Sequence, residues 1–193
     1  MPVAFLASYS KVGLEDFAGP LALELGWTLL GTQGTADYLG THGIPIEDVN
    51  RASMLLGNDW AKWPREIFAA LLGRRLASSS TEEQRFLDRL GIPDPGLVYV
   101  NPRPPDKEPQ NPDIGGLSVL AAAAQGKRIV LYSPWQFADI LKYLYQWRGR
   151  EEIPSLHEQF VESLAHDALQ HVKDYYLRSA EYHLSRAEFH ARA

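Results

Sequence analysis

The chain has 193 residues, 45% of them hydrophobic, with a net charge of −5 and no cysteine. That size sustains one compact domain with a buried core, and the missing cysteines remove disulfides and thiolate chemistry. The acidic balance, with no basic stripe interleaved with aromatics, argues against a nucleic-acid partner. No apolar run approaches the roughly 20 residues that span a bilayer, and no basic residues precede the first apolar run, so no membrane partner and a cytoplasmic location are expected.

Val3 to Ala7 is a short apolar run, followed by the polar turn Ser8-Tyr9-Ser10-Lys11. Leu14, Phe17, Leu21 and Leu25 recur at helical spacing and lead to Gly26, a C′ glycine. Trp27 to Thr32 reads as a buried strand and Ala36 to His42 as a short helix ending at Gly43. Ile44 to Val49 reads as a short edge strand, because Pro45 removes a ladder donor. Trp60, Trp63 and Pro64 lead into a helix through Leu72, and the capping-box pattern at Ser80 to Glu83 opens another that runs to about Leu90. Leu97 to Val100 and Lys127 to Tyr132 are continuous apolar strands of the kind that a parallel sheet covers on both faces. Phe137, Ile140, Leu141, Leu144 and Trp147 mark a further helix. Ser155 to Glu158 repeats the capping-box pattern, and the helix it opens has a seam of Phe160, Leu164, Ala168 and Tyr175.

Strands alternating with helices predict a three-layer α/β/α sandwich with a mainly parallel sheet, over residues 1–150, and a C-terminal helical extension over 151–193. In such sheets ligands sit beyond the carboxyl ends of the strands. Two turns rich in glycine and hydroxyls fall there. The first is Gly31-Thr32-Gln33-Gly34-Thr35-Ala36. The second is Asp113-Ile114-Gly115-Gly116, which enters a helix carrying Leu117, Leu120 and four alanines. Asp113 stands where a helix is capped, and first-turn N–H groups together with the helix dipole favour an anion. Such turns suit a phosphorylated small molecule, and the proline-dense segment Pro102 to Pro112 is a semi-rigid loop that can wall the site.

Each of these features also has a plainer reading. Asp113 alone is first of all a helix cap, Lys11 a solvated loop lysine, and Trp60 and Trp63 are packing residues. No metal is expected: His157, His166, His171, His183 and His190 lie on the C-terminal helical segment, and no two stand four apart. Ser8 and Ser10 have no neighbouring histidine in sequence for a hydrolase triad.

The segments Ser10 to Ala18, Gly31 to Leu39, Gly43-Ile44-Pro45 with Val49, Leu71 to Arg75, Val100-Asn101-Pro102 and Asp113 to Gly116 with the alanine helix form a specific combination. With them, the chain resembles the N-terminal inosine monophosphate cyclohydrolase domain of the bifunctional purine-biosynthesis enzymes over nearly its whole length. The resemblance implies the methylglyoxal-synthase-like fold and a purine ribotide as small-molecule substrate. It implies ring closure of the formylated aminoimidazole-carboxamide ribotide to inosine monophosphate with loss of water, and no cofactor. On this resemblance Asp113, Asn101 and Lys11 are the catalytic candidates. Ser10, Thr32, Gly34, Thr35, Arg103, Ile114, Gly115 and Gly116 are the substrate-binding ones.

The departures are equally specific. A family lysine-bearing stretch falls on Asn58-Asp59-Trp60-Ala61, the family's His-Pro pair becomes Trp63-Pro64, and Lys62 lies out of register. Arg103 stands at the place of an active-site tyrosine, and Gln125 at that of a lysine, with Lys127 two residues on. These replacements keep a second reading open, a non-catalytic purine-nucleotide-binding or regulatory module of the same fold. A homo-oligomer is also expected, since a domain without its usual second half exposes a tryptophan-rich face.

Overall fold

In the computed structural model, residues 2–49, 71, 94–107, 109–148 and 154–192 are described. Among them, five strands pair in parallel: β1 (Val3–Ser8), β2 (Thr28–Gly31), β3 (Glu47–Asp48), β4 (Pro95–Asn101) and β5 (Ile129–Leu131), in the spatial order β3-β2-β1-β4-β5. The expected α/β sandwich is thus present. The two longest strands, β1 and its neighbour β4, are apolar without alternation, as is the short β5. Ala4 to Ala7 and Leu97 to Val100 are buried throughout, because helices cover both faces. The edge strand β3 is only two residues long, and it begins two residues after Pro45.

The helices are α1 (Leu14–Gly19), α2 (Gln33–Thr41), α3 (Ile114–Gln125), α4 (Phe137–Trp147) and α5 (Pro154–Arg192). Helices α1 and α4 pack together on one face of the sheet. Phe17 stacks on Phe137 with ring centroids 4.2 Å apart, and Tyr99 of β4 meets both rings edge-on. Truncating a fully buried ring of this kind typically costs about 3–5 kcal/mol. The β4-to-β5 crossover runs the opposite way from that of β1 to β2, so right-handed connections put α3 on the other face. There Val119, Leu120 and Ala122 to Ala124 of α3 are buried, as are Val161, Leu164, Ala165 and Ala168 of α5.

Several boundaries differ from the sequence reading. The helical spacing from Leu14 to Leu25 does not produce one α-helix. Pro20 has no N–H to continue the ladder, and Pro20–Glu24 forms a π-turn in which the Leu25 N–H donates to the Pro20 carbonyl at 2.9 Å. The predicted C′ residues Gly26 and Gly43 do take left-handed φ values of 72° and 71°. Helix α2 starts at Gln33 rather than Ala36, with Thr32 at the N-cap. Helix α5 starts at Pro154, so Ser155 lies inside its first turn and is not the cap; proline is at home there because the first N–H has no helical partner anyway. The tryptophan region and the helices expected around Pro64 and Ser80 fall outside the described residues, except Leu71, which is helical and buried. Among the described residues, no helix is long and apolar enough to cross a membrane.

Candidate functional site

Chain connections leave β1 toward β2 and β4 toward β5, so a crevice opens between the carboxyl ends of these two neighbours. Register pairs Ser8 with Asn101 at that point. The Tyr9 N–H donates to the Asn101 carbonyl at 2.9 Å. The Asn101 side chain ties three segments together. Its Oδ1 accepts the Ser10 N–H at 3.0 Å, and its Nδ2 donates to the Tyr132 carbonyl at 3.2 Å. A donor on one side and an acceptor on the other fix which way the amide faces.

Lys11 lies beside this junction. Its Nζ donates to the Ser8 carbonyl and, at 3.2 Å, to Thr35 Oγ1. Burial holds its pKa below the ordinary lysine value. Thr35 is fully buried, and its hydroxyl also accepts the Ser8 N–H at 3.0 Å and lies 3.1 Å from Thr32 Oγ1. Two N–H donors fill its lone pairs, so its own proton is directed at Thr32. Thr32 leaves α2 without a side-chain cap, since its hydroxyl is turned to Thr35. Gly34, in the first turn of α2, is exposed, with open space where a Cβ would stand. The Ser10 Oγ accepts the Val12 N–H at 3.4 Å, and the Ser8 hydroxyl donates to the Ser10 carbonyl. Ser8 Oγ also lies 3.3 Å from the Tyr99 hydroxyl, whose pKa burial pushes up to about 12 against the opposing effect of that hydrogen bond.

A second group begins two residues beyond Asn101. Asp113 caps α3 as expected, its Oδ1 accepting the Gly116 N–H at 3.0 Å, while Oδ2 accepts the Arg103 N–H at 3.3 Å. A glycine at 116 also leaves space for the capping carboxylate. A Cβ on it would stand 3.0 Å from Asp113 Oδ2, so the space belongs to the cap itself. Ile114 is exposed, and its N–H donates to the Pro112 carbonyl at 2.9 Å. That leaves the Gly115 N–H as the first-turn donor without a hydrogen bond among the described residues. Gln125 closes the far end of α3, about 17 Å along the axis from the Asp113 end at 1.5 Å per residue. Lys127, just beyond, is engaged by Glu158 at 3.1 Å and Glu162 at 3.7 Å.

Helix α5 contributes side chains that sequence reasoning did not place at the site. The Tyr175 hydroxyl accepts the Asp113 N–H at 3.2 Å and donates to the Arg103 carbonyl at 2.8 Å. One turn earlier, His171 stacks on Tyr132 with centroids 4.3 Å apart. Burial, then the neighbouring Arg178, lowers the His171 pKa, with Asp174 opposing. The helical seam did mark Tyr175 as inward-facing; nothing in the sequence told what its hydroxyl meets. Gln136 is buried too, its Oε1 accepting the Tyr132 and Ser133 N–H groups at 2.9 and 3.1 Å.

No protein-family model matches the chain. The bifunctional purine biosynthesis protein PurH of Parasynechococcus marenigrum (strain WH8102) is 30% identical over 190 residues, which cover 90% of this chain and 35% of that protein. PurH of Thermosynechococcus vestitus (strain NIES-2133 / IAM M-273 / BP-1) is 31% identical over 158 residues, covering 74% of this chain and 30% of that protein. The chain thus spans about a third of the length of these curated relatives. Among solved structures, the crystal structure of ForH superposes with a TM-score of 0.73 at 28% identity, covering 93% of this chain and 97% of that one. In sequence and in fold, over almost its whole length, this chain is related to the N-terminal part of the bifunctional purine biosynthesis protein PurH.

Proposed function

We propose that the chain binds a purine ribotide 5′-phosphate at the carboxyl edge of its sheet and acts there as an inosine monophosphate cyclohydrolase. The observation that carries this reading is the meeting of the Ser8–Lys11 turn with Asn101 at the crevice between β1 and β4. In the reaction, the carboxamide nitrogen of the formylated ribotide attacks the formamide carbon. A C–N bond forms as one amide proton passes to the formyl oxygen. That oxygen then departs as water with a second proton, as a nitrogen on the same carbon loses its hydrogen and a C=N bond completes the ring. Both reacting groups belong to one molecule, so holding the correct rotamer removes much of the barrier. The closure is redox-neutral and draws on no cofactor.

Lys11 has three N–H donors, two of them committed to Ser8 and Thr35, which leaves one for the phosphate or for a developing oxyanion. Thr32, Ser10 and the exposed first turn at Gly34 supply hydroxyl and N–H donors beside it, while Thr35 sets the position of Lys11. Asn101 and the Gly115 N–H polarise the formyl oxygen, and Gly116, Ile114 and Arg103 shape the adjoining wall. Asp113 keeps a second lone pair on each oxygen with which to orient the carboxamide or accept its proton. A cytoplasmic location and self-association belong to the same reading.

A binding-only module is the second reading. The commitment of both Asp113 oxygens to backbone N–H groups favours it. A spectroscopic assay of ring closure on the formylated carboxamide ribotide, run beside calorimetry with inosine monophosphate, separates the two. Turnover above the uncatalysed rate supports the enzyme. Binding without turnover makes the chain a module, and no heat at millimolar ligand overturns both.

A further inference from the structure

Arg103, Asp113 and Tyr175 close a ring of three hydrogen bonds. The Arg103 N–H donates to Asp113 Oδ2 at 3.3 Å, the Asp113 N–H donates to the Tyr175 hydroxyl at 3.2 Å, and that hydroxyl donates to the Arg103 carbonyl at 2.8 Å. A phenol has one proton to give, and the Arg103 carbonyl can only accept, so the direction around the ring is determined. Tyr175 is 4% exposed, which keeps water from substituting for it freely. The partners come from three places: the exit of β4, the cap of α3 and the middle of α5.

We infer that Tyr175 is a positioning residue of the candidate site, through which α5 fixes the Asp113 carboxylate and the Arg103 backbone against the mouth of the crevice. The carboxylate is reached from both sides. Gly116 holds Oδ1 from within α3, while Arg103 holds Oδ2, and Arg103 is itself held by Tyr175. Without the hydroxyl, the Arg103 carbonyl and the Asp113 N–H both lose this bond to α5, and the Arg103–Asp113 contact loses the support that fixes its position. The reacting groups of the proposed closure must be held to within fractions of an ångström, since misplacement by about 1 Å can cost about a hundredfold in rate. As far as catalysis is concerned, this role rests on the cyclohydrolase reading.

The test compares the wild type with Tyr175→Phe, which keeps the ring and its packing and removes only the hydroxyl. Amide hydrogen exchange at Asp113 is expected to quicken by about tenfold or more in the variant, reporting the lost bond whatever the protein catalyses. In the ring-closure assay kcat should fall by about 10- to 100-fold with KM changed by less than about threefold, and adding Asp113→Asn should lower the rate no further than Asp113→Asn alone. Asp113 exchange unchanged by Tyr175→Phe overturns the inference, as does a loss that simply multiplies with that of Asp113→Asn. A wild type without ring-closure activity sinks the functional reading only, and the exchange experiment then decides the role of Tyr175 by itself. If the variant does not fold, the wild-type spectrum decides: a slowly exchanging Tyr175 hydroxyl proton close to the Asp113 amide is expected, and its absence removes the clamp.

Discussion

The Ser10 N–H and Asn101 Oδ1 meet at 3.0 Å across 91 residues of sequence. This bond joins the turn after β1 to the end of β4, and the other arm of the same amide reaches Tyr132 after β5. One side chain thus sets the relative position of three strand exits. Asn101→Ala removes both arms and should cost about 1–3 kcal/mol of stability, the usual penalty for leaving partly buried backbone groups unmatched. It should also weaken inosine monophosphate by tenfold or more, on the order of the loss of one positioned donor set. Urea denaturation and calorimetry on the same preparation check the two parts, and unchanged affinity counts against the site.

Lys11 gives a pH dependence. Burial lowers its pKa in the folded protein, so the free site loses its positive charge at a lower pH than an ordinary lysine. Affinity for a monophosphate is expected to decline as pH rises through that lowered value, and Lys11→Met should abolish the decline along with most of the binding. For stability the sign is opposite. Between the lowered folded pKa and the ordinary unfolded one, the unfolded chain holds more protons, so this lysine's contribution to stability rises with pH across that window. Thr35→Val, which removes the hydroxyl that receives Lys11 and the Ser8 N–H, should weaken the same ligand and flatten the same pH profile.

Asp113→Asn reports on catalysis less cleanly than an isosteric swap suggests. Asparagine has one acceptor oxygen, while the aspartate serves two N–H donors, from Gly116 and Arg103. The variant can keep the helix cap or the loop contact but not both, so a modest fall in melting temperature should accompany the kinetic loss. If Asp113 takes part in proton transfer, kcat should drop by about 10²–10⁴-fold. A drop no larger than the stability change accounts for makes it a cap alone.

His171 lies half-buried against Tyr132, and its lowered pKa makes the folded chain resist protonation. As pH falls below the usual histidine value of about 6.5, the unfolded chain takes up a proton first, so stability is lost through that window and levels off once the folded form also protonates. His171→Phe retains the stacking partner and removes the titration. Urea midpoints at about pH 7 and about pH 5 should converge in the variant relative to the wild type. Equal pH dependence in both would show that another group governs it.

Apolar periodicity determined much of this fold. The unbroken runs at Leu97 to Val100 and Lys127 to Tyr132 marked strands of a parallel sheet covered on both faces, but not their place in it: β4 lies inside the sheet and β5 at its end. Turn chemistry marked both glycine-rich openings at the carboxyl edge and named Asp113 as a cap, since capping is local and readable within four residues. Local pattern also misled: spacing at Leu14 to Leu25 ran through Pro20, where the missing N–H turned the helix into a π-turn. Tertiary structure alone decided which hydroxyls and carboxylate oxygens remain available. The sequence offered Thr35 as a ligand residue, and only the fold shows its hydroxyl engaged with Ser8, Lys11 and Thr32. The sequence offered Gly116 for close approach of a ligand, and only the fold shows the Asp113 carboxylate lying where its Cβ would stand. Tyr175 stands 62 residues from Asp113, and no local rule links a seam tyrosine to a distant cap. Periodicity reports which face is buried; only the packing of α5 on α3 selects the polar atoms that meet there.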